Sequence, residues 1–219
     1  MSLFATLRYH AVMEGNVDPR LLARQPQQAR SRRRFERILD GARELLLESG
    51  LSAFSIPALA ERLGFIRATI YQYFPTPYAI LNELMQRELG ELEALLEAQA
   101  PQTRKLDWEE ALVHIVNLAS EFHNTHPIGR MLILGGPVSD EGHLAQSLTI
   151  RHLGSLTRSL LEARGFNLPA EPDVPVLAVD IGTTCFRVSF HLHGTITEAY
   201  RQEAVRAMAA YLRLYEPAS

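Results

Sequence analysis

Five side chains that can bind nucleic acid follow one another closely in the segment that begins at Arg67. Arg67, Thr69 and Gln72 carry groups that hydrogen-bond to base edges and phosphates, and Tyr71 and Tyr73 add two hydroxyls. Glutamine can pair in bidentate fashion with adenine, and arginine with guanine. Only part of this segment is apolar enough to be buried, so we interpret the remainder as a surface that contacts DNA.

Three short helices are expected to position this segment. The first ends near Gly50, and Ser55 can cap the second, which Gly64 ends. The third helix begins at about Arg67 and is expected to reach Phe74. Apolar residues at helical spacing form the buried stripes of the first two helices: Phe35, Ile38, Leu39, Ala42, Leu45, Leu46, Ile56, Leu59, Ala60 and Leu63.

Helical patterns also fill the rest of the chain. Thr76 and Pro77 open a long helix that is expected to end near Ala98, because Pro101 follows. Further helices are expected at about 107–126, 128–134, 141–163, 174–192 and 196–215. The predicted fold class is therefore all-α.

Charge is distributed unevenly along the 219 residues. The whole chain carries a net charge of −3, but residues 1–74 hold 11 basic and 7 acidic residues, whereas 75–219 hold 11 and 18. A basic N-terminal part on an acidic body fits a DNA-contacting end. The single Cys185 excludes an internal disulfide and a Cys-rich zinc site. Without a secretory signal or a ~20-residue apolar run, we expect a cytoplasmic protein with no membrane segment.

Five arginines lie between positions 30 and 37, Arg32 and Arg33 among them. Such a run is often a solvated helix face. It can also be an arm or helix end that lies against phosphates, as is common beside helix-turn-helix units. The neighbouring segment favours the second reading, so Arg32 and Arg33 are predicted DNA contacts.

The ordered set of small, apolar and aromatic residues over about 32–85 resembles the tetracycline-repressor (TetR) family of transcription regulators. The residues that carry the resemblance are LLESG at 46–50, FSIPALA at 54–60, LGF at 63–65 and ATIYQYF at 68–74. Two positions depart from the family pattern. Ile66 stands where a small polar cap is usual, and Pro77 stands where a phosphate-contacting lysine usually opens the fourth helix.

The resemblance implies a helix-turn-helix head at 30–76 and a helical ligand-binding and dimerisation domain at 77–219, after an N-terminal extension at 1–29 that is expected to be flexible. It implies a repressor, in the default sense, that binds a pseudo-palindromic double-stranded operator as a homodimer and responds to a small molecule. The alternative is a helical enzyme or small-molecule carrier that retains the head. The DNA contacts implied or derived are Arg32, Arg33, Ser55, Arg67, Ala68, Thr69, Tyr71, Gln72 and Tyr73.

Two further sets of residues are predicted in the C-terminal part. Amphipathic position suggests a ligand pocket lined by Trp108, His114, Phe122, His126, Arg130 and His152. Small residues four apart allow helices to approach closely, which suggests a four-helix dimer interface of Ala178, Gly182, Phe186, Phe190, Ala207, Met208 and Tyr211. No catalytic constellation stands out. We expect no cofactor, and the histidine spacings, which lack a matching Cys or carboxylate set, do not predict a metal site.

Overall fold

The computed structural model describes residues 18–135 and 140–217, and within these ranges the chain forms nine α-helices and no strand. The all-α prediction is confirmed. The helices are α1 (Ala29–Ser49), α2 (Ile56–Leu63), α3 (Arg67–Tyr71), α4 (Pro77–Thr103), α5 (Trp108–Thr125), α6 (Pro127–Gly129), α7 (Asp140–Glu162), α8 (Val174–His193) and α9 (Glu198–Leu212). A π-helical turn, Arg130–Leu134, continues α6.

Local sequence signals set the ends of α1 and α2. Gly50 follows α1 with φ of 72°, and Gly64 ends α2 in the left-handed conformation with φ of 63°. The Ser55 hydroxyl accepts the Ala58 N–H at 3.3 Å and so caps α2, as expected. Between α2 and α3, Ile66 makes no side-chain cap.

Helix α4 is longer than predicted, because it continues through Pro101 to Thr103. A proline in the last turn removes only one hydrogen bond, and the exposed end tolerates its ring. The guanidinium of Arg164 adds hydrogen bonds at this end of the helix, since it donates to the carbonyl oxygens of Thr103 at 3.2 Å and Leu106 at 2.5 Å. A long-range contact that local pattern cannot reveal therefore places the helix end.

The chain folds into two compact units, and the boundary between them falls inside α4. The first unit contains residues 18–88 and 140–143, and the second contains 89–135 and 144–217. The predicted boundary at 76/77 differs from this division, because the first turns of α4 belong to the first unit. No residue type marks the change inside a continuous helix.

Part of the N-terminal extension is attached to the first unit. The Arg24 N–H donates to the Tyr73 carbonyl at 2.7 Å, and the Asn82 amide donates to the Leu21 carbonyl at 3.1 Å. Residues 18–28 are therefore a strap across the end of α3 and the start of α4, which differs from the expected flexible lead-in. The first 17 residues lie outside the described ones.

Within the second unit, a capping box opens helix α5. Asp107 accepts the Glu110 N–H at 2.8 Å, and Glu110 accepts the Asp107 N–H at 3.3 Å. Two glycines then bring neighbouring helices close together. A Cβ at Gly154 would lie 2.5 Å from Val176, and one at Gly182 would lie 2.6 Å from the Met208 sulfur. Helices α7, α8 and α9 consequently pack around these positions.

Candidate nucleic-acid interface and ligand cavity

Helix α3 has an outer face made of polar and small residues. Arg67, Ala68, Tyr71 and Gln72 are exposed, and Thr69 is half-buried. Within the part of the chain that the structure describes, the Arg67 and Gln72 side chains make no hydrogen bond. Their donors and acceptors are therefore available to base edges and phosphates.

The opposite face of the same segment is held firmly. Ile70 and Phe74 have no exposed surface, and Phe74 stacks on Phe35 with ring centroids 4.7 Å apart. The rings of Tyr73 and Phe35 pack nearly perpendicular to each other, with centroids 5.9 Å apart. Burial of each such side chain contributes about 1.5–3 kcal/mol, which exceeds the rotamer entropy it loses. The packing fixes the orientation of the polar face without using the polar groups.

The two predicted hydroxyl contacts lie in different environments. Ser55 is half-buried, and its oxygen accepts one backbone N–H while its own proton can still be donated. Tyr73 is only 8% exposed, so most of its ring belongs to the core of the first unit. Arg32 and Arg33 are exposed near the start of α1, and Arg32 donates to the Gln27 carbonyl at 2.8 Å. Arg33 lacks such a bond among the described residues.

Other arginines of the first unit have structural roles that the sequence did not reveal. Arg62 of α2 donates to Glu44 and, at 2.6 Å, to Glu48 of α1. These hydrogen bonds lower the pKa of Glu48. Arg87 likewise donates to Glu36 at 2.7 Å. Arginines engaged in this way leave the unpaired Arg67 as the distinctive charge on the α3 face.

The sequence model of the bacterial regulatory proteins of the tetR family matches residues 38–84. The chain carries a TetR-family DNA-binding domain. The match covers the second half of α1, all of α2 and α3, and the first turns of α4, so the exposed face of α3 lies within the matched domain. The resemblance noted in the sequence is confirmed.

Solved TetR-family structures share the fold. A regulator from Streptomyces coelicolor is 22% identical with a TM-score of 0.62, and the alignment covers 83% of this chain and 99% of the regulator. Thermus thermophilus FadR, a TetR-family repressor in complex with lauroyl-CoA, is 16% identical with a TM-score of 0.62, covering 84% and 97%. The flavonoid-responsive regulator FrrA is 21% identical with a TM-score of 0.55, covering 85% and 99%. No curated protein sequence matches the chain.

The second unit contains a cavity of about 1040 Å³. Its walls come from α4, α5, α7, α8 and α9, and they are mainly aliphatic. One continuous face of α5 lines it, made of Trp108, Leu112, Ile115, Val116, Ala119 and His123. At 1.5 Å per residue, this face extends for about 22 Å, which is long enough for an elongated ligand.

His123 is the one buried titratable group on the described wall. Its side chain is 4% exposed, and burial, with smaller effects of His126 and Arg130, lowers its pKa to about 4. The imidazole is therefore neutral at pH 7. Its Nδ1 atom is buried and has no hydrogen-bond partner among the described residues.

Of the predicted pocket residues, only Trp108 lines this cavity. The others bond or pack elsewhere in the second unit. His126 stacks on Phe122 at 3.9 Å, Arg130 donates to the Asn124 carbonyl at 3.1 Å, and the Nε2 atom of His152 lies 2.6 Å from Glu93. The Nε2 atom of His114 is buried outside the cavity wall.

The sequence predicts Phe122 of α5 as a pocket residue, whereas the cavity wall contains its neighbour His123. His123 lies four residues after Ala119 and eleven after Leu112. Both positions fit a helical period. The signal that could have identified His123 is a polar residue four positions after an apolar one. Whether Phe122 or His123 meets the cavity, however, depends on how the other four helices pack against α5.

The predicted dimer residues do not share one surface. Gly182, Phe186 and Met208 line the cavity, and Ala178 is fully buried. Phe190, Ala207 and Tyr211 are half-buried. Residues four apart on α8 follow the face that packs inside the protomer, where Gly182 permits contact with Met208. Exposed residues of α8 lie on the other side and include Leu177, Thr184, Val188 and Leu192.

Two carboxylates and one imidazole meet between α4 and α7. Donor atoms of Glu93, Glu97 and His152 lie within 4.8 Å of one another. Burial raises the pKa of Glu93, and the positive charge of His152 opposes that rise. The Nε2 atom of His152 lies 2.6 Å from Glu93 and 3.8 Å from Glu97. Among the described helices, none is long and apolar enough to cross a membrane.

Proposed function

We propose that this protein is a homodimeric transcription regulator that binds a pseudo-palindromic operator and loses affinity for it when a small molecule enters the cavity. Repression is the proposed sign of regulation. The observation that carries the proposal is that α3 has one buried face and one exposed polar face. Ile70 is fully buried, whereas the Arg67 and Gln72 side chains are exposed and make no hydrogen bond within the described part of the chain. A rigid helix with such a face can insert into a major groove.

A dimer is proposed because two α3 helices must meet successive major grooves, about 34–36 Å apart or a multiple of that distance. The outer face of α8 offers the contact surface. Leu177, Val188 and Leu192 are 42%, 41% and 64% exposed, and their spacing places them on one side of the helix. Two copies of α8 and α9 would then form a four-helix interface.

Substitution of Val188 by aspartate is expected to convert the dimer into monomers. A buried unpaired carboxylate costs several kcal/mol, which exceeds the contribution of one apolar contact. Sedimentation velocity measures the change. Val113→Asp is the matched control, because Val113 of α5 is 40% exposed and lies on another helix. A Val188→Asp protein that sediments like wild type would reject α8 as the interface.

Helix α4 links ligand binding to DNA binding in this proposal. It contributes Leu92, Leu96 and Ala100 to the cavity wall, and its first turns belong to the first unit. A ligand that displaces α4 changes the distance between the two α3 helices of the dimer. Coupling of about 1–3 kcal/mol would change operator affinity by roughly 5- to 150-fold.

The test uses DNA from upstream of the protein's own gene. Lauroyl-CoA and a flavonoid are the first probes, because FadR binds lauroyl-CoA in its solved complex and FrrA is flavonoid-responsive. We expect a two-fold symmetric footprint that a binding probe releases. Ala119→Phe fills the cavity, so DNA binding should persist and release should disappear. Ala98→Phe adds the same volume at an exposed position of α4 and should respond like wild type.

Two outcomes of this experiment would contradict the proposal. A folded wild-type protein that shows no preference for any upstream fragment over random DNA would favour a helical carrier that only retains the head. Release that is equally strong in Ala119→Phe would place the effector outside this cavity.

A further inference from the structure

We infer that His123 selects effectors that carry an uncharged hydroxyl or carbonyl group on an otherwise apolar, elongated body. The inference rests on the proposed function only in taking the cavity as the effector site. It assigns the chemistry of the ligand and the residue that recognises it.

The apolar body follows from the wall. Along α5, five apolar residues precede His123 on the face that lines the cavity, and Leu153, Leu156 and Leu160 of α7 line another side. Against such a wall, the binding free energy of a ligand becomes more favourable in proportion to the apolar surface that is buried. Its length of about 22 Å along α5 favours an extended ligand over a compact one.

The polar group follows from the unpartnered Nδ1 of His123. Most buried polar atoms in proteins have a hydrogen-bond partner, and leaving one without a partner is costly. The imidazole is fixed by aromatic contacts with Phe122 and Phe186, at centroid distances of 5.8 and 6.2 Å. Because these contacts restrict the ring, a ligand hydroxyl or carbonyl that reaches the imidazole from the cavity supplies a hydrogen bond that no described residue supplies.

The absence of net charge on the ligand group follows from what surrounds His123. Arg130 is directed to the backbone, since it donates to the carbonyl oxygens of His123 at 3.4 Å and Asn124 at 3.1 Å. His126 is bonded to the Phe122 carbonyl at 2.8 Å. A cation would be repelled by the Arg130 guanidinium, and a carboxylate would have to be desolvated without a directly paired charge.

Four charged residues also belong to the described wall: Glu97, Arg104, Asp107 and Arg164. Three of them already have partners: Glu97 lies 3.8 Å from His152, Asp107 caps α5, and Arg164 binds the carbonyls at the end of α4. Arg104 is exposed. It could attract an anionic head to the rim, so an anionic probe belongs in the test.

The experiment measures displacement of the neutral dye N-phenyl-naphthylamine from the full-length protein by three matched probes: biphenyl, para-phenylphenol and para-phenylbenzoic acid. Wild type is expected to bind para-phenylphenol roughly 5- to 100-fold more tightly than biphenyl, as one satisfied buried polar group implies. His123→Phe should lose this preference and bind the two probes with similar affinities. His123→Gln, which retains a hydrogen-bonding side chain, should recover part of it.

The wild-type ratio decides the inference even where a variant fails to fold, which thermal melting reports. Equal affinities for biphenyl and para-phenylphenol, failure of para-phenylphenol to displace the dye, or tightest binding of the benzoic acid would each overturn it. A preference that survives in folded His123→Phe would also overturn it. No DNA is present in this assay, so its failure leaves the regulator proposal standing, and absence of operator binding leaves the ligand result intact.

Discussion

Replacement of Arg67 by alanine is expected to weaken operator binding by roughly 5- to 150-fold, because a bidentate arginine contact with guanine contributes about 1–3 kcal/mol. The loss should be largest for the native operator. It should be small for random DNA, because the protein binds such DNA mainly through its phosphates. Arg67 is exposed and unpaired within the described residues, so the melting temperature should stay within the error of wild type. Fluorescence anisotropy at several salt concentrations measures both effects.

Two comparisons make this result specific to α3. Arg206→Ala removes the same charge from an exposed position of α9 in the second unit, and it should leave operator affinity unchanged. Tyr73→Phe removes one hydroxyl and keeps the ring on Phe35, so weaker binding with normal stability would identify that hydroxyl as a DNA contact. Wild-type affinity in both Arg67→Ala and Tyr73→Phe would count against this face.

Stability should fall steeply as the pH drops from about 6.5 to about 4, because the pKa of His123 lies near 4 in the folded protein and near 6.5 when it is unfolded. In that range the unfolded chain binds one more proton than the folded chain, so protonation favours unfolding. A difference of this size corresponds to roughly 3 kcal/mol. Below pH 4 both forms are protonated, and this contribution no longer changes.

Urea unfolding at a series of pH values measures this dependence, and His123→Gln isolates it. The variant should be less sensitive to pH between 4 and 6.5, although its stability at pH 7 can be lower. Glu93, whose pKa is raised, acts in the opposite direction, but it is common to both proteins and cancels in the difference. His191→Gln, at an exposed position of α8, should retain the wild-type slope. Identical slopes in wild type and His123→Gln would disprove the assignment.

The sequence alone determined the features that depend on near neighbours. Ser55, Asp107, Gly50 and Gly64 set helix ends through contacts within three or four residues, so their roles were predictable. The buried face of this segment was predictable for the same reason, since Ile70 of α3 and Phe74, which lies just after the helix, are four residues apart. These signals, with the family pattern, were sufficient for the all-α fold and the DNA-binding head.

Only the tertiary structure decided the features that depend on residues far apart in the chain. Arg164 holds the end of α4 from 60 residues away, and the strap at 18–28 bonds to Tyr73 and Asn82. Likewise, the choice of His123 over Phe122 for the cavity wall depends on how five helices surround one space. A helical period identifies an apolar stripe, but every stripe has two edges, and packing alone determines which edge faces a partner helix, a cavity or another protein.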